Sequence, residues 1–544
     1  MKIKCHISAF LFLTVLYTTS VSAQEALVSD TERYYDLLAL QGLAERPYLN
    51  YRTLSDSDWT IEEGAAHPWQ AQNLGTKRKL VNNLYLKIFG PELFNSVNSA
   101  APYGQNDGAL WQGKGYNASL SGGARLEAFG FELTLKPQLS FSQNAAFNYI
   151  KNIPYAGDTK AGKYGYYGVP SIDAPQRFGD DPLFTYDWGD SEIRYSWKTL
   201  TIGFGTQPIW LGPARINPII HSNNAASYPK FDIGLRKQSV TIPKLNWYLG
   251  DIELRLWAGY LSESDYFDNN SSNDHNLITA LAIAYAPSFL PGFTLSANRS
   301  FLTKWAASNL KYIGELFLIS LDNEQQVQVN EDQRASITAD WLFPAAGVEV
   351  YGELGINDYT FGNTGIIRNP FHTMAYNIGL RKTLNIVPSK KIYGELLFEW
   401  THLEMSQDFQ FQWPSTFYAH HIITQGYTNR GQWIGAGIGT GGNSQYLGFK
   451  TYYPKGYSTL FIYRNNPDND YWYASTIRNV DPNDGDNFAN SKAILSFGID
   501  SSYFITTNIS LNGGLTYNLI LNPFYHYDER LHNVHLELGT SLHF

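Results

Sequence analysis

The sequence predicts an all-β membrane protein: an antiparallel transmembrane β-barrel of about 18 strands that follows a small N-terminal helical segment. Three observations lead to this fold class. The chain ends in a strictly alternating strand, many other segments alternate between an apolar and a polar face, and short connectors alternate with long ones. No run of about 18 apolar residues follows the N-terminal segment, so a helical membrane span is not expected.

The C-terminal strand is the clearest single signal. From Val534 to Phe544, successive side chains fall on opposite faces, which is the period of a β-strand. Such a last strand is expected to pair with the first strand, because closure removes the exposed sheet edges. The final Phe544 resembles the assembly signal of bacterial outer-membrane proteins, which implies the outer-membrane assembly machinery as a partner.

The N-terminus predicts export. A mostly apolar stretch from Ile7 to Leu16 precedes a site of small residues that ends at Ala23. Residues 1–23 are therefore predicted to be a secretory signal peptide, cleaved near Ala23. The single cysteine of the chain, Cys5, lies inside that segment. The mature chain is thus expected to hold no disulfide, no thiolate metal site and no cysteine nucleophile.

A small periplasmic helical segment is predicted before the barrel. A capping box from Ser29 to Glu32 begins a helix, and leucines at helical spacing continue it until Gly42. Two shorter helices are expected near residues 59–63 and 69–73. The predicted boundaries are 24–80 for the helical segment and 81–544 for the barrel.

Many later segments repeat the two-face pattern of a membrane strand. Glu253 and Arg255, for example, alternate with Leu254 and Leu256, so that one face suits lipid and the other a polar lumen. Counted back from the last strand, every second connector is short and most of the others are long, as in barrels with short periplasmic turns. The predicted strands lie near 84–98, 111–127, 131–143, 185–198, 199–207, 228–243, 251–262, 274–287, 292–303, 333–343, 347–358, 372–384, 391–405, 443–454, 457–465, 489–503, 506–521 and 530–544.

The predicted lumen contains several carboxylates. Glu349, Glu353, Glu395 and Glu399 face it on neighbouring strands, where a carboxylate pair is the arrangement used by glycosidases. Lumen-facing arginines offer a second interpretation, an internal salt-bridge lattice, which we favour. Catalytic motifs such as a nucleophile elbow or a phosphate-binding loop do not occur, so the chain is not expected to be an enzyme. The arginines in question are Arg125, Arg194, Arg236 and Arg255.

Nucleic acid, metals and cofactors are not expected as partners. The formal net charge is −9, which disfavours binding to nucleic acid. The turn Asp481–Asp486 resembles a calcium loop but lacks the distal glutamate. His420 and His421 are adjacent, so their side chains point apart on a strand and make a poor metal pair.

Several ordered motifs stand between Ser171 and Leu235, among them Trp210-Leu211-Gly212-Pro213 and the run from Ile219 to Ala225. Further motifs follow in 331–353, 372–382 and 426–444. In order and spacing they resemble the Wzi capsule-assembly family of outer-membrane barrels, over roughly residues 30–544. The chain departs from the family's Trp-Trp-Gly-Pro-Gly turn, because Ile209 precedes Trp210 and Ala214 follows Pro213.

The 207–227 loop suits a sugar ligand. An indole stacks on the apolar face of a sugar ring, asparagine amides donate and accept hydrogen bonds, and arginine binds carboxylates. Alternatively, Gly212-Pro213 and the paired asparagines only fold the loop. Outer-loop aromatics such as Tyr164, Trp188 and Trp413 are either sugar platforms or part of an interfacial girdle. The predicted carbohydrate-binding residues are Trp210, Arg215, His221, Asn223, Asn224, Arg430 and Trp433.

The family resemblance implies a non-enzymatic protein of the outer membrane. It would bind exported capsular polysaccharide or exopolysaccharide and retain it at the cell surface, with outer-membrane lipid around the barrel. A barrel of this size is also wide enough for an aqueous channel, and the sequence does not distinguish an open lumen from a plugged one. The alternative is therefore an outer-membrane pore for small solutes or oligosaccharides.

Overall fold

The computed structural model describes residues 29–53, 59–150, 163–165, 171–317, 330–357, 371–404, 417–470 and 490–544. The predicted signal peptide with Cys5 lies outside these residues, as do Trp413 and the acidic turn Asp481–Asp486.

Antiparallel strands form the wall of a closed barrel. They are β5 (Leu84–Asn98), β6 (Gly115–Ala128), β7 (Phe131–Leu135), β8 (Gln138–Ser142), β9 (Leu183–Asp187), β10 (Glu192–Trp197), β11 (Leu200–Gly205), β13 (Lys230–Ile242), β14 (Trp247–Ser262), β15 (His275–Pro287), β16 (Phe293–Lys304), β17 (Glu331–Phe343), β18 (Val348–Asn357), β19 (Met374–Val387), β20 (Ile392–His402), β23 (Asn443–Tyr453), β24 (Gly456–Asn466), β25 (Ala493–Thr506), β26 (Ile509–Leu521) and β27 (Arg530–His543). β27 pairs with β26 and also with β5, where Leu536 lies opposite Val97. The described residues thus form a closed barrel of 18 strands, which confirms the predicted fold class.

Two of the 18 wall strands are interrupted. One consists of β7 and β8, and the other consists of β9 and β10. β7 and β8 both pair with β6 and are separated by Lys136 and Pro137. Proline has no N–H to donate to the ladder. The neighbouring strand breaks at the same level, where Gly189 has a φ of 57°. Because β10 pairs with β7 and β9 pairs with β8, the wall stays continuous.

Compared with a soluble protein, the polarity of the wall is inverted: apolar side chains face outward and polar side chains face the lumen. On β27, Leu538 is 62% exposed on the outer face, whereas His535 is 1% exposed toward the lumen. On β14, Glu253 and Arg255 are likewise buried. The outer band therefore matches lipid, and the polar inner face must find its partners inside the barrel. Among the described residues, no helix is long and apolar enough to cross a membrane.

Short turns gather at one end of the barrel, the short-turn end, and long connectors at the other, the long-loop end. Phe129 and Gly130 join β6 to β7 with φ values of 53° and 85°, which are those of a tight type I′ hairpin. Other short turns are 3-10 helices that begin with proline, Pro344–Ala346 and Pro388–Lys390. The connectors after β5, β8, β11 and β20 are long, as the sequence predicts.

The N-terminal segment enters the barrel at the short-turn end. Its helix α1 (Asp30–Leu40) begins after Ser29, whose side chain accepts a hydrogen bond from the Glu32 amide at 3.1 Å. The helix predicted from the capping box is confirmed. Tyr34 of α1 stacks on Trp69 with ring centroids 4.1 Å apart, and both belong to an apolar cluster with β23 and β24. A short strand, β4 (Arg78–Val81), then leads into β5.

The two further helices predicted for this segment are wrong. Thr60–Ile61 form the strand β3, which pairs with β1 (Ala44–Glu45), and residues 69–73 form turns. Trp69 is held by contacts outside its own stretch, since its amide donates to the Tyr34 hydroxyl at 3.0 Å. These tertiary contacts override a weak local helix preference. The boundary at residue 80 and the periplasmic location remain predictions.

Inward-folding connectors fill the lumen. In residues 206–229, β12 (Ile209–Leu211) pairs with β2 (Tyr51–Thr53) of the N-terminal segment. Residues 417–442 carry the small hairpin of β21 (Thr428–Asn429) and β22 (Gln432–Trp433). Buried side chains of both connectors and of the wall form one apolar core. The described residues therefore show a plugged barrel rather than an open one.

Two connectors contain further helical turns. After β16, a 3-10 helix (Ala307–Lys311) leads into α2 (Tyr312–Glu315), whose Tyr312 packs on Phe301 of the wall. Between β26 and β27, the 3-10 helix Pro523–Tyr525 lies at the long-loop end.

Candidate functional site

The lumen near the short-turn end holds a network of buried charges. Arg46 of the N-terminal segment lies 2.8 Å from Asp36 and 2.5 Å from Glu349 on β18. Arg381 on β19 contacts the same two carboxylates, at 2.7 and 2.5 Å, and Arg215 lies 2.7 Å from Asp36. Burial alone would raise the pKa of Asp36, but the guanidiniums of Arg215, Arg46 and Arg381 hold it well below its usual range.

Other lumen carboxylates accept hydrogen bonds from the backbone of the inward-folding segments. Glu399 accepts from the amides of Arg215 and Asn217, at 2.7 and 2.8 Å. Glu353 accepts from the Ile219 amide at 2.9 Å, and Glu253 from the Tyr51 amide at 2.6 Å. Each carboxylate thus anchors the plug to the wall. These glutamates are therefore structural anchors and do not form a catalytic carboxylate pair.

The predicted salt-bridge lattice exists, but its pairing differs from the one expected. Arg46, Arg215 and Arg381 neutralise Glu349, and Arg381 also lies 2.7 Å from Glu395. Of the arginines named from the sequence, Arg194 pairs with Glu192 and Asp232, Arg255 with Asp232 and Arg236 with Glu132. Those carboxylates lie on β7, β10 and β13, which are the same strand as the arginine or one to three strands away from it. Nearby wall strands, together with the plug, therefore supply the partners.

Trp210 lies inside the plug and not on an accessible surface. Its side chain is 2% exposed, and its indole N–H donates to the Ala214 carbonyl at 2.8 Å. The Arg52 guanidinium donates to the carbonyls of Gly212 and Ala214. Gly212 has a φ of 78°, a backbone conformation that suits glycine. In this conformation the Trp210 indole closes a turn and is not free to stack on a ligand.

Arg215 and His221 are also committed to internal contacts. Arg215 belongs to the buried charge network described above. The His221 ring contacts the Ile209 carbonyl at 2.9 Å and the Tyr228 hydroxyl at 2.8 Å. Burial lowers the pKa of His221 to about 3, with a further contribution from Lys230, so the imidazole is neutral at physiological pH. The structure assigns both side chains to the folding of the lumen.

The remaining predicted residues lie closer to the long-loop end. Asn223 donates to the Asn106 carbonyl at 3.1 Å, and Asn224 donates to the Trp433 carbonyl at 3.2 Å. Arg430, whose side chain is 46% exposed, lies 3.4 Å from Asp187. Among the predicted binding residues that the structure describes, Asn224 and Trp433 line one common cleft.

This cleft, which we call the loop cleft, opens among the long connectors and has a volume of about 710 Å³. Its walls come from the connectors after β5, β8, β11, β20 and β26, and from the adjoining ends of β25, β26 and β27. Seven aromatic side chains line it together with small, aliphatic, polar and charged residues. The aromatic lining residues are Tyr103, Trp111, Phe147, Tyr149, Trp433, Phe524 and Tyr525.

Packing behind the loop cleft fixes several of these rings. Trp111 lies 4.9 Å from the Phe178 ring, and Trp433 packs 5.9 Å from the Tyr418 ring of the plug. Gly439 has a φ of 76°, and a Cβ there would lie 2.8 Å from the Trp433 indole. The Trp433 indole therefore packs directly against the backbone at Gly439, where any larger residue would collide with it. Rigid aromatic faces of this kind contact a ligand at low cost in conformational entropy.

The sequence singled out Trp433 but missed most of the other cleft aromatics. Tyr103 and Trp111 lie in the connector after β5, and Phe524 in the connector before β27. Their shared signal is an aromatic residue inside a long connector, rather than at a strand end. Tyr164, which the sequence did name, is buried, while Trp188 lies 5.3 Å from the Tyr186 ring on the outer wall.

One acidic group among the described residues has ligand spacing for a cation. Oxygen atoms of Glu263, Asp268 and Asp274 all lie within 4.8 Å of one another. The Asn273 amide donates to Glu263 and to Asp268, each at 3.2 Å. Burial raises the pKa of Glu263 to about 9, with contributions from the neighbouring carboxylates. A proton on Glu263 therefore reduces the repulsion among the three carboxylates. That the chain binds no metal remains a prediction.

The family model described as capsule assembly protein Wzi matches residues 113–533. The chain belongs to the Wzi capsule-assembly family. This confirms the resemblance drawn from the motifs and, together with the closed barrel, places the chain in the outer membrane. The match indicates no family of enzymes. No curated protein matches the chain in sequence.

Several solved structures match this Wzi-family chain. Wzi of Escherichia coli, described as an outer-membrane protein involved in group 1 capsule assembly and a carbohydrate-binding β-barrel, is 12% identical, with a TM-score of 0.53 over 83% of this chain and 84% of that one. OprB of Pseudomonas putida is 12% identical (TM-score 0.37, 84% and 94% of the two chains). OccD3 of Pseudomonas aeruginosa is 9% identical (TM-score 0.39, 87% and 94%).

Proposed function

We propose that this Wzi-family barrel binds exported capsular polysaccharide or exopolysaccharide in the loop cleft and retains it at the cell surface. The observation that carries the proposal is the cleft itself, a large concavity of about 710 Å³ whose lining contains both aromatic and polar side chains. Sites for small ligands are typically concave and apolar with a few placed polar groups. The carbohydrate binding described for the Escherichia coli protein supports the same assignment.

In this proposal the long-loop end faces the outside of the cell and the N-terminal segment lies on the periplasmic side. The short turns would then be periplasmic, as is usual for bacterial outer-membrane barrels. Outer-membrane lipid would surround the apolar outer wall. The assembly machinery would bind the C-terminal strand that ends at Phe544. Polysaccharide leaving the cell would therefore meet the loop cleft directly.

Retention would come from many weak contacts rather than from one tight site. A long polymer presents its repeating unit many times, and the outer membrane holds many copies of the barrel. Linked binding events of this kind raise the overall affinity by orders of magnitude, because every event after the first is intramolecular. No catalytic step is needed, so the protein would act as a non-enzymatic anchor.

The plugged lumen disfavours the alternative of an open pore. Two connectors and the N-terminal segment share one apolar core and a charge network with the wall. Single-channel recordings in planar bilayers separate the two functions. A polysaccharide anchor with a plugged lumen would give no large, steady conductance. Such a conductance would instead support the function of an open pore.

Polymer partition in a strain that lacks the gene tests the proposed function. We expect total polymer to stay constant while the cell-bound fraction moves into the medium, and the wild-type gene to reverse this. The Trp433→Ala variant should restore less binding, since it removes a cleft ring. Trp247→Ala is the matched control, because Trp247 is 61% exposed on β14 near the short-turn end. An unchanged partition in the gene-deficient strain would overturn the proposal.

A further inference from the structure

Cationic side chains line the loop cleft, although the chain as a whole carries a net charge of −9. Lys114 comes directly before β6, and Lys492 comes directly before β25. Within the described residues, neither ammonium group lies in an ion pair with a carboxylate. Arg530 also lines the cleft and lies 3.4 Å from Asp528, and both side chains are mostly exposed. In the part of the chain that the structure describes, Lys114 and Lys492 are therefore not neutralised by a direct ion pair, and the nearest electrostatic partner of Lys492 is Asp468.

Of the two acidic residues that line the cleft, Asp107 and Glu529, Asp107 compensates these charges poorly. Burial raises the pKa of Asp107 to about 7, although the Gln112 amide donates to its carboxylate at 2.9 Å. The Asp107 carboxyl is thus partly protonated at neutral pH. Glu529 lies 3.3 Å from the His526 ring. Burial also lowers the pKa of Lys492 to about 8, and a bound anion would restore its charged form.

The positions of the two lysines set a spacing. β6 and β25 are separated in the wall by β26, β27 and β5, which makes four steps between neighbouring strands. At about 4.8 Å a step, Lys114 and Lys492 start about 19 Å apart along the rim. The rings of Tyr103 and Phe524 belong to the connectors between them. A ligand that meets both lysines must therefore carry two charges separated by groups that can contact aromatic rings.

We propose that the loop cleft selects an anionic glycan, whose acidic groups pair with Lys114 and Lys492 while the intervening sugar rings contact Tyr103, Trp433 and Phe524. This inference rests on the proposed function and names the chemical class of its ligand. Lysine presents a compact point charge rather than a planar fork. The cleft therefore recognises charge and spacing, and it accepts a carboxylate, a phosphate or a sulfate on the sugar. A neutral polymer leaves both ammonium groups without a counter-ion.

The test measures binding of the strain's own surface polysaccharide to the purified full-length barrel in detergent. One sample of the polymer is kept native, one has its carboxyl groups reduced to alcohols, and one has its phosphate or sulfate esters removed. The wild-type barrel should bind the native polymer, and binding should weaken when NaCl rises from about 50 mM to about 500 mM, because salt screens exposed charges. It should also be lost with at least one of the treated samples, and which one identifies the anion.

Charge variants of the barrel complete the test. Lys114→Gln and Lys492→Gln should each weaken binding of the native polymer by about tenfold, since each loses one charge-assisted hydrogen bond. Lysine-to-arginine variants at the same positions should retain it. Lys455→Gln is the matched control, because Lys455 lies in the turn between β23 and β24 at the short-turn end. The heat-dependent gel shift of folded barrels shows that each variant has folded.

The outcomes separate this inference from the function on which it rests. Binding that survives both removal treatments, or that is unchanged in the Lys114→Gln and Lys492→Gln variants, overturns the anionic selectivity and leaves polysaccharide retention standing. An absence of binding to all three polymer samples overturns the proposed function, and the selectivity with it. Binding of the native polymer alone, weakened by both glutamine variants, supports both.

Discussion

Arg46 and Glu349 meet inside the barrel, with the Arg46 Nη2 and Glu349 Oε1 atoms 2.5 Å apart, although 303 positions separate them in the chain. Glu349 is fully buried, and Arg46 also contacts Asp36 and Asp340, each at 2.8 Å. One arginine of the N-terminal segment therefore joins α1 to two wall strands. Because its partners are buried carboxylates, this residue is expected to matter for the stability of the whole barrel.

Arg46→Ala should lower the free energy of unfolding by about 3–5 kcal/mol, because it leaves buried carboxylates without a counter-charge. Denaturant unfolding of the refolded barrel, followed by tryptophan fluorescence, measures the change. Arg530→Ala is the control and should cost about 0–1 kcal/mol, since Arg530 and its partner Asp528 are mostly exposed. Equal losses in the two variants would contradict the role given to the buried network.

Trp210→Ala and Trp433→Ala should fail in different ways. Trp210 is buried in the plug, so its loss should lower the free energy of unfolding by about 3–5 kcal/mol. Folded Trp210→Ala barrels should still bind polymer, whereas folded Trp433→Ala barrels should bind it weakly. Bound polymer per folded barrel, measured for both variants, is the deciding quantity. Weak polymer binding by well-folded Trp210→Ala protein would instead indicate that the 207–227 loop forms the polysaccharide-binding site.

Asp107 gives the stability a defined dependence on pH. Its folded pKa of about 7 lies above the value of about 3.9 expected for an unfolded chain. The folded state therefore holds the proton more tightly, and the contribution of Asp107 is fully present below about pH 4 and is lost as the pH rises through about 7. Asp107→Asn should abolish this loss, because an amide carries no charge and keeps an acceptor for Gln112.

Unfolding curves of wild type and Asp107→Asn at about pH 5 and about pH 8 check this dependence. We expect the variant to gain stability relative to wild type at the higher pH and to gain much less at the lower one. Asp528→Asn is a suitable control, since Asp528 is mostly exposed. A difference between wild type and Asp107→Asn that does not change with pH would show that Asp107 titrates normally.

Gly439→Ala should impair the loop cleft without removing any of its side chains. A Cβ at this position would lie 2.8 Å from the Trp433 indole, and the φ of 76° disfavours alanine. The Trp433 ring should move, so polymer binding should fall toward that of Trp433→Ala, with a stability loss of about 1 kcal/mol. Gly64→Ala is matched in φ, at 78°, but has nothing within 4 Å of its Cβ. It should leave binding unchanged.

The wall of the barrel could be predicted from the sequence because strand alternation is a local property. Residues of β27 reveal their two faces by themselves, and pairing with β5 follows from the need to close the sheet. The capping box likewise predicts α1 from neighbouring residues alone. Around the wall, consecutive strands of the chain are neighbours in the sheet, and the pair of β27 with β5 follows from closure.

The site could be predicted only in part, because no local pattern shows whether a long connector folds inward or outward. Trp210, Arg215 and His221 lie in a connector that pairs with the N-terminal segment, so their polar chemistry serves the plug. Asn224 and Trp433 reach the loop cleft only because the two connectors meet there. Trp69 shows the same limit, since contacts with Tyr34 replace the helix expected around it.

The way the N-terminal segment is held also sets an order of events during biogenesis. Its acidic and basic side chains leave the biosynthetic machinery first, yet their partners Asp340, Glu349 and Arg381 lie on β17, β18 and β19. These charges stay solvated until more than half of the wall exists, because β17, β18 and β19 are the tenth to twelfth of its 18 strands. The N-terminal segment can therefore complete its ion pairs only late in the synthesis of the wall. A chain stalled before β17 would leave this segment without its partners and open to quality-control proteases.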